Sequence, residues 1–181
     1  MNYATIKKND IANGPGVRVS LFVSGCRHRC EGCFNAEAWD FDYGAPYTEA
    51  IGDEILEALD KEHVTGLSLL GGEPFERENR DALAALVTRV RLELPEKTVW
   101  CYSGYTLEEL LSDEGALPLL SLLDVLVDGR FVMAKKDLSL LFRGSSNQRI
   151  LDVKASLAAQ GAVWLDGVWE RSVGSNDIHS S

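Results

Sequence analysis

The sequence predicts an α/β fold, in which about five to six mostly parallel strands form an open sheet, either a partial βα barrel or a doubly wound sheet. Segments with the two-residue period of strands alternate with segments that have the helical period. Such alternation is typical of parallel sheets, because parallel neighbours need a crossover connection. Five or six strands are too few for a closed eight-stranded barrel.

The first strand and helix are predicted on either side of a cysteine-rich loop. Apolar residues alternate along VRVSLFV, residues 17–23, which is the period of a strand. Thr48 is a predicted N-cap, and the apolar residues after it recur with helical spacing as far as Lys61. These segments form one β-loop-α unit.

The same pattern continues along the chain. Residues 64–70 are predicted as a strand, 71–75 as a turn and 80–94 as a helix that Pro95 ends. The later predicted elements are a strand at 98–103, a helix at 106–113 capped by Thr106, strands at 125–131 and 148–153, a helix at 155–161 and a last segment at 162–167. Polar or glycine-rich loops follow several strands, at the edge where α/β sheets bind ligands.

Length and composition predict one globular domain. The chain has 181 residues, of which 45% are hydrophobic and 25% charged. Residues 1–170 are assigned to this domain, and the small, polar residues of 171–181 are predicted to form a flexible tail. The sequence contains neither a run of about 20 apolar residues nor a signal-peptide core, so we expect a cytoplasmic location and no membrane partner.

The charge and the cysteines narrow the possible functions. A formal net charge of -10 argues against nucleic acid as a partner, because phosphate binding needs clustered Lys and Arg. Four cysteines in a reducing compartment indicate metal binding or redox chemistry more than disulfides.

Cys26, Cys30 and Cys33 form the pattern C-x3-C-x2-C, and their thiolates suit zinc, copper(I) or an iron–sulfur cluster. A structural zinc needs a fourth protein ligand, for which His28 and Cys101 are the candidates. The other interpretation is a [4Fe-4S] cluster with one iron left open. We expect Cys101 to be a buried, hydrophobic side chain. We expect His28 to be a solvated loop residue that favours cluster reduction or partner contact, and not a metal ligand.

This spacing resembles the radical S-adenosylmethionine superfamily, and Gly71-Gly72-Glu73-Pro74 after the second strand matches a second superfamily motif. Over most of residues 12–153, the chain is similar to the activating proteins of anaerobic ribonucleoside-triphosphate reductases. The similar stretches are NGPGVR (13–18), GCRHRCEGCFN (25–35), GLSLLGGEPF (66–75), TVWCYSGYT (98–106), DVLVDGRF (124–131) and RGSSNQRI (143–150). The chain departs from the family at Asn13, where an acidic residue is common, and from the wider superfamily at Gly32, where an aromatic residue is common.

The resemblance implies a radical S-adenosylmethionine type of partial barrel, a [4Fe-4S] cluster and bound S-adenosylmethionine. One electron from the cluster would cleave the S–C5′ bond, and the 5′-deoxyadenosyl radical would take hydrogen from a glycine of the reductase. Cluster potentials reach about -700 mV, so this reduction is accessible to a protein-bound cluster. The implied partners are the reductase and a low-potential electron donor such as flavodoxin.

Residue roles follow from the matched motifs and the predicted strand ends. Cys26, Cys30 and Cys33 are assigned as cluster ligands, and no catalytic side chain beyond the cluster is assigned. Phe34 is predicted to pack on the adenine. The full set of predicted cofactor-binding residues is Phe34, Asn35, Gly71, Gly72, Glu73, Pro74, Ser103, Asp128, Arg130, Ser145, Asn147 and Gln148. Two rival functions stay open: a radical S-adenosylmethionine enzyme with a small-molecule substrate, and a structural zinc-binding adaptor.

Overall fold

A single sheet of seven strands runs through the computed structural model, which describes residues 1–167. The strands lie in the order β3-β1-β2-β4-β5-β6-β7. Their bounds are β1 Asn2–Asp10, β2 Val17–Val23, β3 Ala45–Pro46, β4 Val64–Gly71, β5 Thr98–Tyr102, β6 Val125–Asp128 and β7 Arg149–Asp152. The prediction of an open α/β fold is confirmed.

The parallel part of the sheet is smaller than predicted. Strands β2, β4, β5 and β6 are parallel neighbours, whereas the β1–β2, β1–β3 and β6–β7 pairs are antiparallel. The predicted five to six mostly parallel strands are therefore confirmed only in part, because the sheet of residues 1–167 has seven strands and three of its six pairings are parallel. Strand β1 was not predicted because its sequence is polar. Strand β7 is antiparallel to β6, and the connection between them lacks the α-helix of a parallel crossover.

Five helices, α1 Glu49–Leu59, α2 Arg77–Glu93, α3 Leu107–Leu111, α4 Leu117–Leu120 and α5 Val153–Ala159, contribute to the main hydrophobic core. Alternate strand residues such as Leu21, Leu69 and Cys101 belong to the same core. The opposite face has a smaller cluster around Trp100, Val125, Val127 and Ile150. The alternation read from 17–23 is confirmed, while α2 begins at Arg77, three residues before its predicted start.

A buried arginine joins three strands on this second face. The side chain of Arg18, on β2, is fully buried and donates to the Ser68 hydroxyl at 2.7 Å and to the Leu67 carbonyl at 2.7 Å, both on β4. It also donates to the Thr98 carbonyl at 2.9 Å, at the start of β5. Burial lowers the pKa of Arg18 to about 10. Because the guanidinium stays charged at neutral pH, these acceptors replace the water that it loses.

Two further predictions concern the C-terminal tail and membrane-spanning segments. The predicted tail at 171–181 lies outside the described residues. Among residues 1–167, no helix has the length and apolar character needed to cross a membrane.

The two predicted threonine N-caps differ, which gives a matched test. The Thr106 hydroxyl accepts from the Glu109 amide, and the Glu109 carboxylate accepts from the Thr106 amide at 2.7 Å, which completes a capping box. Thr48 occupies the N-cap of α1 without a side-chain capping bond. We expect Thr106→Ala to lower the free energy of unfolding by about 1 kcal/mol in urea titrations, and Thr48→Ala to leave it nearly unchanged. Equal losses in the two variants would contradict this interpretation of the caps.

Candidate metal centre

The cysteine loop, the GGEP turn and the loop after β5 meet at the carboxyl ends of β2, β4 and β5. Val23, at the end of β2, pairs with Gly71 at the end of β4. The Gly72 amide donates to the Val23 carbonyl at 2.7 Å, and the Glu73 amide donates to the Gly25 carbonyl at 2.8 Å. The loops that the sequence placed after these strands are therefore adjacent, as parallel topology requires.

Each sulfur of the cysteine loop has a backbone amide beside it. The Asn35 amide donates to Cys33 Sγ at 3.4 Å. Backbone groups of His28 and Arg29 lie close enough to the Cys26 sulfur to lower the pKa of its thiol, and the backbone of Phe131 acts in the same way on Cys30. Amide hydrogens stabilise negative charge on sulfur, and such bonds help to set the potential of iron–sulfur clusters. The three side chains therefore fit the role of thiolate ligands.

Cys101 has the opposite surroundings. Its side chain is fully buried, and its sulfur lies 4.0 Å from the Tyr102 carbonyl, which is an acceptor and not a donor. Burial raises the pKa of this thiol well above its ordinary value. The prediction that Cys101 is a buried, hydrophobic side chain is confirmed.

Burial also raises the pKa of the Cys26 thiol to about 11, although the backbone groups of His28 and Arg29 act in the other direction. The pKa of Cys30 is raised by burial, against the effects of the Phe131 backbone and the Arg130 charge. For both side chains, burial thus favours the protonated thiol over the thiolate. A bound metal must displace the protons, as metal binding to cysteine does in general.

Within residues 1–167, no group of three or more His, Cys, Asp or Glu side chains is arranged around one ion, so neither His28 nor Cys101 joins the three thiols in such a group. The ligands of a four-iron cluster bind different iron atoms and do not have to converge on one point. The soft donors and their amide neighbours fit a cluster with cysteine ligands.

Glu73 joins the three loops at this edge. Its side chain is 1% exposed, and Oε1 accepts from the Phe75 amide at 2.9 Å and from the Ser103 hydroxyl at 2.9 Å. Oε2 accepts from the Gly104 amide at 2.7 Å and contacts His28 Nε2 at 3.1 Å. Both oxygens thus have protein donors. The predicted contact of Glu73 with a cofactor stays a prediction, and it would require one of these bonds to be shared.

His28 is not the solvated residue that we expected. Its side chain is 4% exposed, and its ring packs against Tyr105 with 4.4 Å between centroids. Its neighbours Arg27 and Arg29 are exposed. The prediction that His28 is solvated was based on its position between them and is wrong. The bond to Glu73, 45 positions away, accounts for the burial.

Two further side chains that the sequence did not single out hold the cysteine loop against α2. Glu76, which is 4% exposed, accepts from the Arg27 amide at 2.8 Å. The Asn79 amide group donates to the Ser24 carbonyl and to the Glu73 carbonyl, both at 2.9 Å. The available signal was the three-residue spacing of Glu76 and Asn79 at the start of α2, which is typical of side chains on one face of a helix.

Gly72 is required by a close approach between loops. A Cβ atom at this position would lie 2.6 Å from the Gly25 carbonyl oxygen and 2.9 Å from the Ala38 carbonyl oxygen. Gly71, beside it, has a φ of +107°, which favours glycine. The predicted role of both glycines was to let the backbone approach a ligand. The structure shows Gly72 against the cysteine loop itself, and Pro74 is buried in the same turn.

The predicted strand-end residues Ser103 and Asp128 are both engaged. The Ser103 hydroxyl accepts from the Tyr105 amide at 3.0 Å in addition to its bond to Glu73. Asp128 is 1% exposed and accepts from the Leu107 amide at 2.7 Å and from Arg149 Nε at 2.9 Å. On β6, Asp128 follows the parity of Leu126, which belongs to the helix-covered core. Their cofactor-binding roles stay predictions.

The loop at 143–149 is held by Gln148. Its side-chain oxygen accepts from the Gly144 amide at 2.8 Å and from the Ser145 amide at 3.1 Å, and its nitrogen donates to the Gly129 carbonyl at 3.0 Å. The Asn147 nitrogen donates to the Arg130 carbonyl at 2.9 Å, whereas Asn147 Oδ1 is buried without a donor among the described residues. Asn147 Oδ1 is therefore an acceptor whose hydrogen-bonding capacity is unused among residues 1–167.

Three of the predicted site residues lie beside the cysteines on the outside of the loop. Phe34 is 71% exposed, and the centroid of its ring is 5.9 Å from the centroid of the Phe131 ring. Asn35 begins the short 3₁₀ helix Ala36–Trp39. Arg130 is exposed, lies near Cys30 and has no carboxylate partner within the described part of the chain. The adenine contact of Phe34 stays a prediction.

Comparisons with known proteins agree with this arrangement. A family model described as a 4Fe-4S single cluster domain matches residues 12–151. An anaerobic ribonucleoside-triphosphate reductase-activating protein of Escherichia coli K12 is 45% identical over 150 residues, which cover 82% of this chain and 96% of the relative. The protein of the same name from Vibrio cholerae is 45% identical over 83% of this chain and 97% of its own. The protein of the same name from enterobacteria phage T4 is 38% identical over 94% of this chain and 99% of the phage protein.

The bonds of Glu73 predict a large effect of a small change. Glu73→Gln removes the charge and turns an NH₂ group toward amide or imidazole donors, which leaves buried donors without acceptors. We expect the free energy of unfolding to fall by about 2–4 kcal/mol in urea titrations of anaerobically purified protein.

Glu78→Gln is the matched control. Glu78 is exposed and pairs with Arg27, which lowers the pKa of Glu78 to about 2. An exposed ion pair is worth at most about 1 kcal/mol. Similar losses in the two variants would show that the buried network does not have the importance assigned to it.

Proposed function

The chain belongs to the family of anaerobic ribonucleoside-triphosphate reductase-activating proteins, and on this premise we propose that it generates a glycyl radical on such a reductase by reductive cleavage of S-adenosylmethionine. The matched 4Fe-4S domain supports the cofactor part of the proposal. The observation that carries it is that all three sulfurs of C-x3-C-x2-C have backbone amide neighbours, whereas the sulfur of Cys101 does not.

In this proposal Cys26, Cys30 and Cys33 would hold the cluster and leave one iron free for S-adenosylmethionine. The cluster would supply one electron to break the S–C5′ bond, which would release methionine, and the 5′-deoxyadenosyl radical would take hydrogen from a glycine Cα of the reductase. The protein contributes orientation and protection of the site. Three cysteines, and not four, are what this incomplete coordination requires.

The residues around the loop would orient S-adenosylmethionine. Asn147 Oδ1 is a buried acceptor without a donor in residues 1–167 and suits an N–H of the amino group. Arg130, exposed and without a carboxylate partner in residues 1–167, suits the carboxylate. Ser145 and Gln148 fix the loop that carries Asn147. Glu73 acts through His28 and Ser103, since it holds the cysteine loop and the end of β5 together.

The remaining expectations belong to this proposal. They are a partial barrel of the radical S-adenosylmethionine type, an oxidoreductase activity, a cytoplasmic location and reduction by a donor such as flavodoxin. The open sheet with the cysteine loop at its carboxyl edge supports the first of these. The names of the relatives support the reductase as the partner.

The proposal is tested with anaerobically purified protein by metal and sulfide analysis, followed by incubation with dithionite and S-adenosylmethionine. We expect iron and sulfide, formation of methionine and 5′-deoxyadenosine, and a glycyl-radical paramagnetic resonance signal when the reductase is added. A colourless protein that holds only zinc would establish the adaptor instead. Cleavage that leaves the reductase inactive and instead requires a small substrate would favour the other rival.

The four cysteines are expected to fall into two classes. Cys26→Ala, Cys30→Ala and Cys33→Ala should each lose the cluster and reduce S-adenosylmethionine cleavage to background, because each removes one iron ligand. Cys101→Ala is the control, since this side chain is buried in the core and makes no contact that a cluster needs. It should keep most of its iron, sulfide and cleavage activity. Loss of the cluster in Cys101→Ala would refute the assignment of the ligands.

A further inference from the structure

The segment between β6 and β7 differs in charge from the rest of the chain. Residues 129–149 contain five basic residues and one acidic residue, whereas the whole chain has a formal net charge of -10. Two of the five have hydrogen-bond partners: Arg149 pairs with Glu108 and Asp128, and Arg143 donates to the Gln148 carbonyl at 2.9 Å. The positive charge that remains available comes from Arg130, Lys135 and Lys136.

This segment packs directly on the outside of the cysteine loop. The ring centroids of Phe34 and Phe131 are 5.9 Å apart, and the Lys136 ammonium lies 5.2 Å from the centroid of the Phe34 ring. A Cβ atom at Gly32 would lie 3.2 Å from the sulfur of Met133. The two segments therefore form one continuous surface. We name it the docking patch and define it as Phe34, Phe131, Met133, Lys135, Lys136 and Leu138.

The docking patch exposes large apolar side chains next to cations. Phe34 is 71% exposed, Met133 42% and Leu138 85%. Lys135 and Lys136 are exposed and have no carboxylate partner within residues 1–167. Asp137 is the acidic residue between them and Leu138, and its carboxylate accepts from the Ser139 amide at 2.8 Å. Exposed apolar side chains beside unpaired charges are typical of a surface that binds another protein.

We propose that the docking patch binds the anaerobic reductase, through a surface of the reductase that presents acidic residues around an apolar side chain. This inference rests on the proposed function, because hydrogen transfer from a protein residue requires the reductase to contact this chain at the cysteine loop. The patch is continuous with that loop. A symmetric contact between two copies would bring Lys135 and Lys136 near the same cations of the other copy, which is unfavourable.

The electrostatic part is tested with the double variant Lys135→Glu/Lys136→Glu. Its matched control is Lys61→Glu/Lys154→Glu, which changes the net charge equally at two exposed lysines outside the patch. We expect the affinity for the reductase, measured by calorimetry or biolayer interferometry, to fall about tenfold at low ionic strength in the patch variant. The difference from the control should shrink as salt is added, because exposed charges are screened.

The apolar part is tested with Leu138→Ser, for which Leu92→Ser is the control. Leu92 is 78% exposed on α2, so both changes remove a leucine that does not support the core. We expect Leu138→Ser to weaken reductase binding about tenfold, the equivalent of burying one leucine side chain. This loss should persist at high salt, and Leu92→Ser should bind as the unchanged protein does.

Cleavage of S-adenosylmethionine without reductase, driven by dithionite, should be the same in all four variants, which separates docking from chemistry. If the unchanged protein neither cleaves S-adenosylmethionine nor activates the reductase, the proposed function fails. If it does both and the patch variants bind the reductase as their controls do, the docking patch is overturned. It is also overturned if the patch variants change only reduction by a flavodoxin-type donor, or only self-association in sedimentation experiments.

Discussion

The buried carboxylate of Glu73 is the constraint on which the candidate centre depends. Its four donors come from the cysteine loop, from the GGEP turn itself and from the two residues after β5. A carboxylate that is 1% exposed has lost its water, so each donor is needed to offset that loss. The same requirement fixes the distances between the three loops. A shift of the cysteine loop would leave Glu73 or His28 without its partner.

A buried charged group joins the strands of this centre near each of their two ends, and the two groups have opposite charges. Arg18 links β2, β4 and β5 near their amino ends, and Glu73 links the loops that follow the same three strands. Both groups use neutral donors or acceptors of the backbone and of serine, and Glu73 also uses His28. Because hydrogen bonds are directional, these two groups specify the register of the three strands more closely than apolar packing alone can.

The sequence predicted those features whose causes are local. The patterns of 17–23 and 64–70 predicted two strands, and Thr106 was correctly predicted as an N-cap. Prediction from the sequence failed where the cause lies far along the chain. His28 is buried by its contact with Glu73, a residue 45 positions away. The antiparallel direction of β7 depends on the path of the whole 129–148 connection. The orientation of Asp128 was available from its parity with Leu126, since both follow the period of one strand.

The cysteine loop thus has two different sides, and the difference bears on what the loop can do. On its inner side, Glu73 and Glu76 are buried, and both oxygens of each carboxylate accept hydrogen bonds from the protein, so these side chains hold the loop. On its outer side, Lys135 and Lys136 are exposed and the rings of Phe34 and Phe131 are in contact. A buried group with hydrogen-bond partners gains little from another protein, whereas exposed cations and apolar side chains can form new contacts. A rigid inner side and an available outer side are together what a centre needs if it must keep three sulfurs in place while a second protein reaches them.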